Sequence, residues 1–144
     1  QMKNFLIFIY IVIFLNFSLK SIANNNEIYG FNIMLCDSLK NANYNFGIEK
    51  INKSKLLIYK FQNNKLKKYN FKKNSENFVL NLNQKFDFQE PVYLNLTNRQ
   101  FYKINNDEFL GGCFKVKSKA ELKCKLNSYY NVYNNKPPLA CNYN

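Results

Sequence analysis

From Glu27 onward, apolar and polar positions alternate with a period of two in one short segment after another. Tyr29, Phe31, Ile33 and Leu35 share one face, with Ile28, Gly30, Asn32 and Met34 on the other. Tyr44, Phe46 and Ile48 alternate with Asn45, Gly47 and Glu49, and Phe78, Leu80 and Leu82 with Asn77, Val79 and Asn81. Val92, Leu94 and Leu96 alternate with Tyr93, Asn95 and Thr97 before a turn at Asn98-Arg99 leads into Phe101 to Ile104. A period of two puts successive side chains on opposite faces of an extended chain, so these segments are predicted strands.

Lys55 to Gln62 and Lys65 to Phe71 are separated only by Asn63-Asn64. Asn tolerates the positive φ that a two-residue hairpin loop demands, so the pair is predicted as a hairpin. That loop sets the register: Ile58 faces Tyr69, Leu56 faces Phe71, and Lys60 faces Lys67. The last is a like-charge pair suited only to a solvated face.

Asp37 to Asn43 is a polar connection with room for one helical turn, and Gln84 to Pro91 a loop whose Phe86 and Phe88 fold back onto the core. Asn105 to Glu108 is a turn. Phe109 to Lys117 and Ala120 to Leu126 are predicted as a final hairpin entered through Gly111-Gly112. From Asn127 the chain is expected to be an irregular tail that holds Tyr129, Tyr130 and Tyr133 and then Pro137-Pro138, which rules out regular structure there.

The expectation is an all-β fold: one small antiparallel sandwich or barrel of about eight to nine short strands, without a helix of ten residues. It fills residues 24 to 144 as a single domain.

Residues 1 to 23 break the pattern. Lys3 precedes an unbroken apolar run, Phe5 to Leu15, and Ser21-Ile22-Ala23 offers small residues to a peptidase. This is the layout of a cleaved secretory signal, with the cut between Ala23 and Asn24. The run is too short for a membrane anchor, since crossing the hydrocarbon core takes roughly 20 residues. Gln1 stands before Met2, so the frame either starts at Met2 or continues something longer. The expected location is outside the cytoplasm, periplasmic or secreted.

The formal charge is +12, which points to anionic partners in general. Its make-up weakens that inference. The cations are 20 Lys and a single Arg, Arg99, beside 27 Asn, a balance typical of A+T-rich coding. A surface shaped for phosphates would use the arginine fork more often. The best basic patch is Lys65, Lys67, Lys68, Lys72 and Lys73, interleaved with Tyr69 and Phe71. It would suit an anionic envelope polymer better than nucleic acid, because alternation sends Tyr69 and Phe71 inward.

Four cysteines in an exported chain indicate two disulfides. Short separation favours Cys113 with Cys124 across the last hairpin, leaving Cys36 with Cys141 to hold the tail. Placing Cys113 opposite Cys124 mismatches the apolar faces of that hairpin unless Gly111-Gly112 is bulged.

The absence of histidine removes the usual nucleophile and base constellations and most zinc sites. Four glycines without a phosphate-loop spacing remove nucleotide motifs. The carboxylate pairs Asp87 with Glu90 and Asp107 with Glu108 lie in predicted turns, and Asn105, Asp107 and Glu108 lack calcium-loop spacing. Asn52-Lys53-Ser54 and Asn95-Leu96-Thr97 match the glycosylation pattern, as chance allows in so Asn-rich a chain. No cofactor or catalytic set is expected. The sequence points to an exported, disulfide-stapled, non-catalytic binding or envelope-associated module whose partner is an envelope polymer, a protein or a small ligand. The alternative is a polyanion binder acting through the Lys65 to Lys73 hairpin.

Overall fold

A computed structural model describes residues 32–74 and 78–141; the expected signal segment and cleavage site, and residues 27–31 of the first predicted strand, lie outside that range. Eight strands follow in chain order: β1 (Ile33–Ser38), β2 (Phe46–Lys50), β3 (Lys55–Gln62), β4 (Lys65–Lys72), β5 (Val79–Leu82), β6 (Val92–Asn95), β7 (Gln100–Lys103) and β8 (Phe109–Lys115). A helix, α1 (Lys119–Tyr133), closes the order. The strands form one antiparallel sheet, β4-β3-β2-β1-β8-β7-β6-β5, curled into a half-barrel. Hairpin connections give this order, except that β1 lies beside β8 and joins the two four-strand halves.

The alternation resolves into two faces. Met34, Phe46, Ile48, Ile58, Leu80, Leu94 and Phe101 are fully buried, and Phe46 meets Phe88 and Phe101 edge to face at 5.4 and 5.3 Å. Side chains fill the concave side. Phe86 and Phe88 do fold back: Phe86 packs on Tyr69 and Phe71, at centroid distances of 6.1 and 5.4 Å, across the seam between the sheet's two ends. The β3–β4 register agrees with the loop argument at all three pairs, and Asn63 and Asn64 have φ of 50° and 60°.

Residues 119–133 are helical, which corrects the expected strand at Ala120 to Leu126, the irregular tail expected from Asn127, and the expected absence of a long helix. Ser118 caps the helix by accepting the Glu121 N–H, and Glu121 reaches back to accept the Lys117 N–H. That reciprocal pair satisfies donors a helix start otherwise leaves open. Leu122 and Leu126, one turn apart, bury against Leu35 and Tyr59 on the convex face. The helix sits so close to β2 that a Cβ on Gly47 would lie 2.6 Å from a Leu122 methyl. Lys119 pairs with Glu49 at 3.0 Å, and the Tyr59 hydroxyl donates to the same carboxylate. The convex face is therefore covered over β1 to β3.

With Ala120 to Leu126 helical, the short hairpin separation that favoured Cys113 with Cys124 is gone. The bonds are Cys36–Cys113 and Cys124–Cys141 rather than Cys113–Cys124 and Cys36–Cys141. Cys36 stands directly opposite Cys113 on adjacent strands β1 and β8, and so staples the two halves of the sheet together. Cys124 projects from α1 and holds the tail. Gly111 is needed where β8 passes β1, since a Cβ there would fall 1.9 Å from the Asp37 carbonyl oxygen.

Candidate functional site

Four connections gather at one rim of the half-barrel: residues 39–45, 63–64, 83–91 and 104–108. Because α1 starts after β8 at the opposite rim and runs back along the convex face, its C-terminal end arrives at the same place. The first three of these connections and the helix end line an open pocket of about 530 Å³, within the range of roughly 300–1,000 Å³ typical of ligand sites. Asparagine and glutamine dominate its wall: Asn41 and Asn43 from the first connection, Gln62 and Asn63 from the hairpin tip, Gln89 and Asn134 from the third connection and the helix end. Aromatic surface comes from Tyr44, Phe88, Tyr130 and Tyr133. Tyr130 is fixed by edge-to-face packing on Phe61 at 5.2 Å, whereas Tyr133 is half exposed.

Part of the Asn richness shapes the turns at both rims. Asn41, Asn52, Asn83, Asn95, Asn98 and Asn106 each accept the backbone N–H two residues on. The amide oxygen thus takes the place of a backbone partner in a tight turn. Both glycosylation matches lie in such turns, with Asn52 and Asn95 as the accepting residues.

The rim carboxylates are engaged. Asp87, with φ 61°, accepts from Lys67 at 3.0 Å and from the Tyr69 hydroxyl. The Tyr69 bond, then Lys67 and Lys60, hold its carboxyl below the ordinary value, while burial and Asp87 push the Tyr69 phenol up to about 12. Glu90 accepts from Tyr44 and pairs with Lys103 at 3.0 Å; Glu108 pairs with Lys40 and, at 3.2 Å, with Lys103. Lys40 and Lys103 pull Glu108 down to about 2. These pairs clamp three connections to one another. Asp107 accepts from Tyr93 at 3.0 Å, away from that chain of pairs. Among the described residues no three His, Cys, Asp or Glu side chains come together as metal ligands; Asp107 is engaged by Tyr93, and Glu108 by Lys40 and Lys103.

Directly behind the pocket lies Lys60, which was expected on a solvated face and is 1% exposed. It pairs with Lys67 as the hairpin register requires, but it lies on the same face as Leu56 and Ile58, which turns inward. The ammonium donates to the Asn43 carbonyl and stands 4.2 Å from the centre of the Phe88 ring, so it ties two pocket walls from behind. Burial lowers its pKa to about 8, against the pull of Asp87.

The five lysines of the sequence-derived patch are divided between the faces of β4. Lys67 turns inward to Asp87, and Lys73 is 5% exposed with its ammonium 6.0 Å from the Phe78 ring. Lys68 and Lys72 stand on the other face, and Lys65 is exposed at the hairpin tip. Tyr69 and Phe71 face inward against Phe86, as alternation requires. Lys85, from the third connection, joins Lys68 and Lys72 along a groove at the β4 edge. Sequence reasoning missed the rim pocket and Lys85 because both depend on loops far apart in the chain.

No helix among the described residues is long and apolar enough to cross a membrane. Compared with protein-family models, curated proteins and solved structures, the chain shows no match.

Proposed function

We propose that this chain is an exported, non-catalytic binding module whose rim pocket takes a small neutral polyhydroxylated ligand, of the kind a saccharide unit presents. The observation that carries the reading is the convergence of six amide side chains and four aromatic rings on one pocket. An amide donates and accepts in a fixed plane, which matches the paired donor and acceptor character of adjacent hydroxyls. Aromatic faces cover the C–H surfaces of such a ligand. Asp87 and Glu90 are already paired with lysines, so they add acceptors without creating a strong net field. A carboxyl held below its ordinary value is a poor proton donor near neutral pH, which supports binding over acid catalysis.

Export is supported by the signal-like residues 1 to 23 and by two disulfides, which persist in oxidising compartments. Calorimetric titration with a panel of neutral mono- and oligosaccharides tests the function. At least one should bind with an affinity that barely changes with salt, and Tyr133→Ala should weaken it roughly three- to tenfold. Absence of binding across the panel, or binding that Tyr133→Ala leaves unchanged, would refute the proposal.

The alternative, a polyanion binder working through Lys65, Lys67, Lys68, Lys72 and Lys73, keeps partial support. Lys67 is committed to Asp87 and Lys73 is buried, whereas Lys68 and Lys72 have no acidic partner among the described residues. Retention on an anionic polymer that survives high salt, or that ignores Lys68→Gln with Lys72→Gln, would sink it.

A further inference from the structure

β4 is a terminal strand of the sheet, and a groove of about 640 Å³ follows its open edge. Lys68 to Lys72 form one wall, with Lys85 and Phe86 opposite. The two-residue loop at Asn63-Asn64 makes Gln62 and Lys65 a hydrogen-bonded pair, and antiparallel pairs alternate between bonded and non-bonded. Gln62, Lys60, Ile58 and Leu56 therefore exchange hydrogen bonds with Lys65, Lys67, Tyr69 and Phe71. The backbone groups of Lys68, Asn70 and Lys72 point the other way, into the groove. Their side chains share the convex face at every second position, and neither Lys68, Lys72 nor Lys85 has an acidic partner among the described residues.

We propose that the β4 edge accepts an extended acidic peptide segment as a ninth strand. Its backbone would pair with Lys68, Asn70 and Lys72. Carboxylates four positions apart would meet Lys68 and Lys72, with Lys85 closing on the segment from the loop. Adding a strand in this way combines main-chain hydrogen bonds with side-chain selection at alternate positions. A second copy of the chain is a poor occupant, because pairing β4 with β4 sets lysines against lysines. Single-stranded nucleic acid is also disfavoured: the rings of Tyr69 and Phe71 already pack on Phe86, and a phosphate backbone offers no ladder of donors to a strand edge.

The probe is a blocked nonapeptide alternating Thr and Val, with Glu at two positions four apart, titrated at moderate salt by fluorescence anisotropy. Binding should weaken roughly tenfold or more when Lys68, Lys72 and Lys85 are changed together to Gln. Asn70→Pro should abolish it while the protein keeps its native melting profile, since only the outward-facing N–H is removed. Should Asn70→Pro unfold, the same peptide N-methylated at alternate residues tests the ladder from the other side and should not bind. Equal binding of the N-methylated and unmodified peptides overturns the proposal, and so does preferential binding of oligo(dT). Self-association in sedimentation that the peptide fails to disrupt overturns it in favour of a second copy.

Discussion

Replacing Lys60 by Met removes a cation that the fold holds in an almost water-free position. The folded amine titrates near 8 and the free side chain near 10.5, so burying the charged form is disfavoured by roughly 3 kcal/mol. Below pH 8 the amine is protonated in both states and the folded protein carries the full penalty. As pH rises from about 8 to 10.5 the folded state sheds the proton first, and stability should climb by about 1.4 kcal/mol per pH unit. Above 10.5 both states are neutral and the penalty is gone. Met keeps the shape of the side chain, so Lys60→Met should be neutral to stabilising at pH 7 by about 1–3 kcal/mol, less the lost bond to Asn43. Urea unfolding of both proteins at pH 7, 8, 9 and 10 measures the difference, in which the titration of tyrosines and surface lysines cancels. The advantage of the Met variant should shrink steadily above pH 8. A difference that stays constant from pH 7 to 10 would refute the burial of a charged amine behind the pocket.

Gly47→Ala places a methyl 2.6 Å from the Leu122 side chain and should destabilise by about 1–3 kcal/mol in urea melts, with partial recovery in combination with Leu122→Ala. Replacing Cys124 and Cys141 together by Ser should cost about 3 kcal/mol for a bond spanning 17 residues, and hydrogen exchange should accelerate in residues 134–141 while β1 to β8 stay protected. Acidification should remove the contribution of Asp87. Its folded carboxyl lies below the ordinary 3.8, so stability is present above that value and lost as pH falls through the folded one. Asp87→Asn should flatten that part of the acid unfolding curve.

The strand segments and the β3–β4 register were legible because they follow from local physics: alternation selects a face, and Asn63-Asn64 can adopt only a few loop geometries. The helix was misread because Leu122 and Leu126, four apart, satisfy a period of two as well as a helical turn. The discriminating signal was present in Ser118 and Glu121, a capping pair three residues apart, strengthened by Tyr129 and Tyr130 one turn further on. The cysteine pairing failed with the hairpin it assumed. Sequence alone places Lys60 on the face of Ile58, but Asn43 and Phe88, which make burial tolerable there, come from connections 17 and 28 residues away. The rim pocket has the same character: its walls come from four separate stretches of chain, and no local periodicity reports on where loops converge.

The rim pocket is the expected binding place of a neutral polyhydroxylated ligand. Side-chain amide resonances of isotopically labelled protein, followed by NMR during saccharide titration, report on that placement residue by residue. Saturable shifts are expected in the amide groups of Asn41, Asn43, Gln62, Asn63, Gln89 and Asn134, with the Lys68 to Lys72 backbone unmoved. Resonances of those six amides that remain in place, or shifts confined to the β4 edge, would contradict that placement.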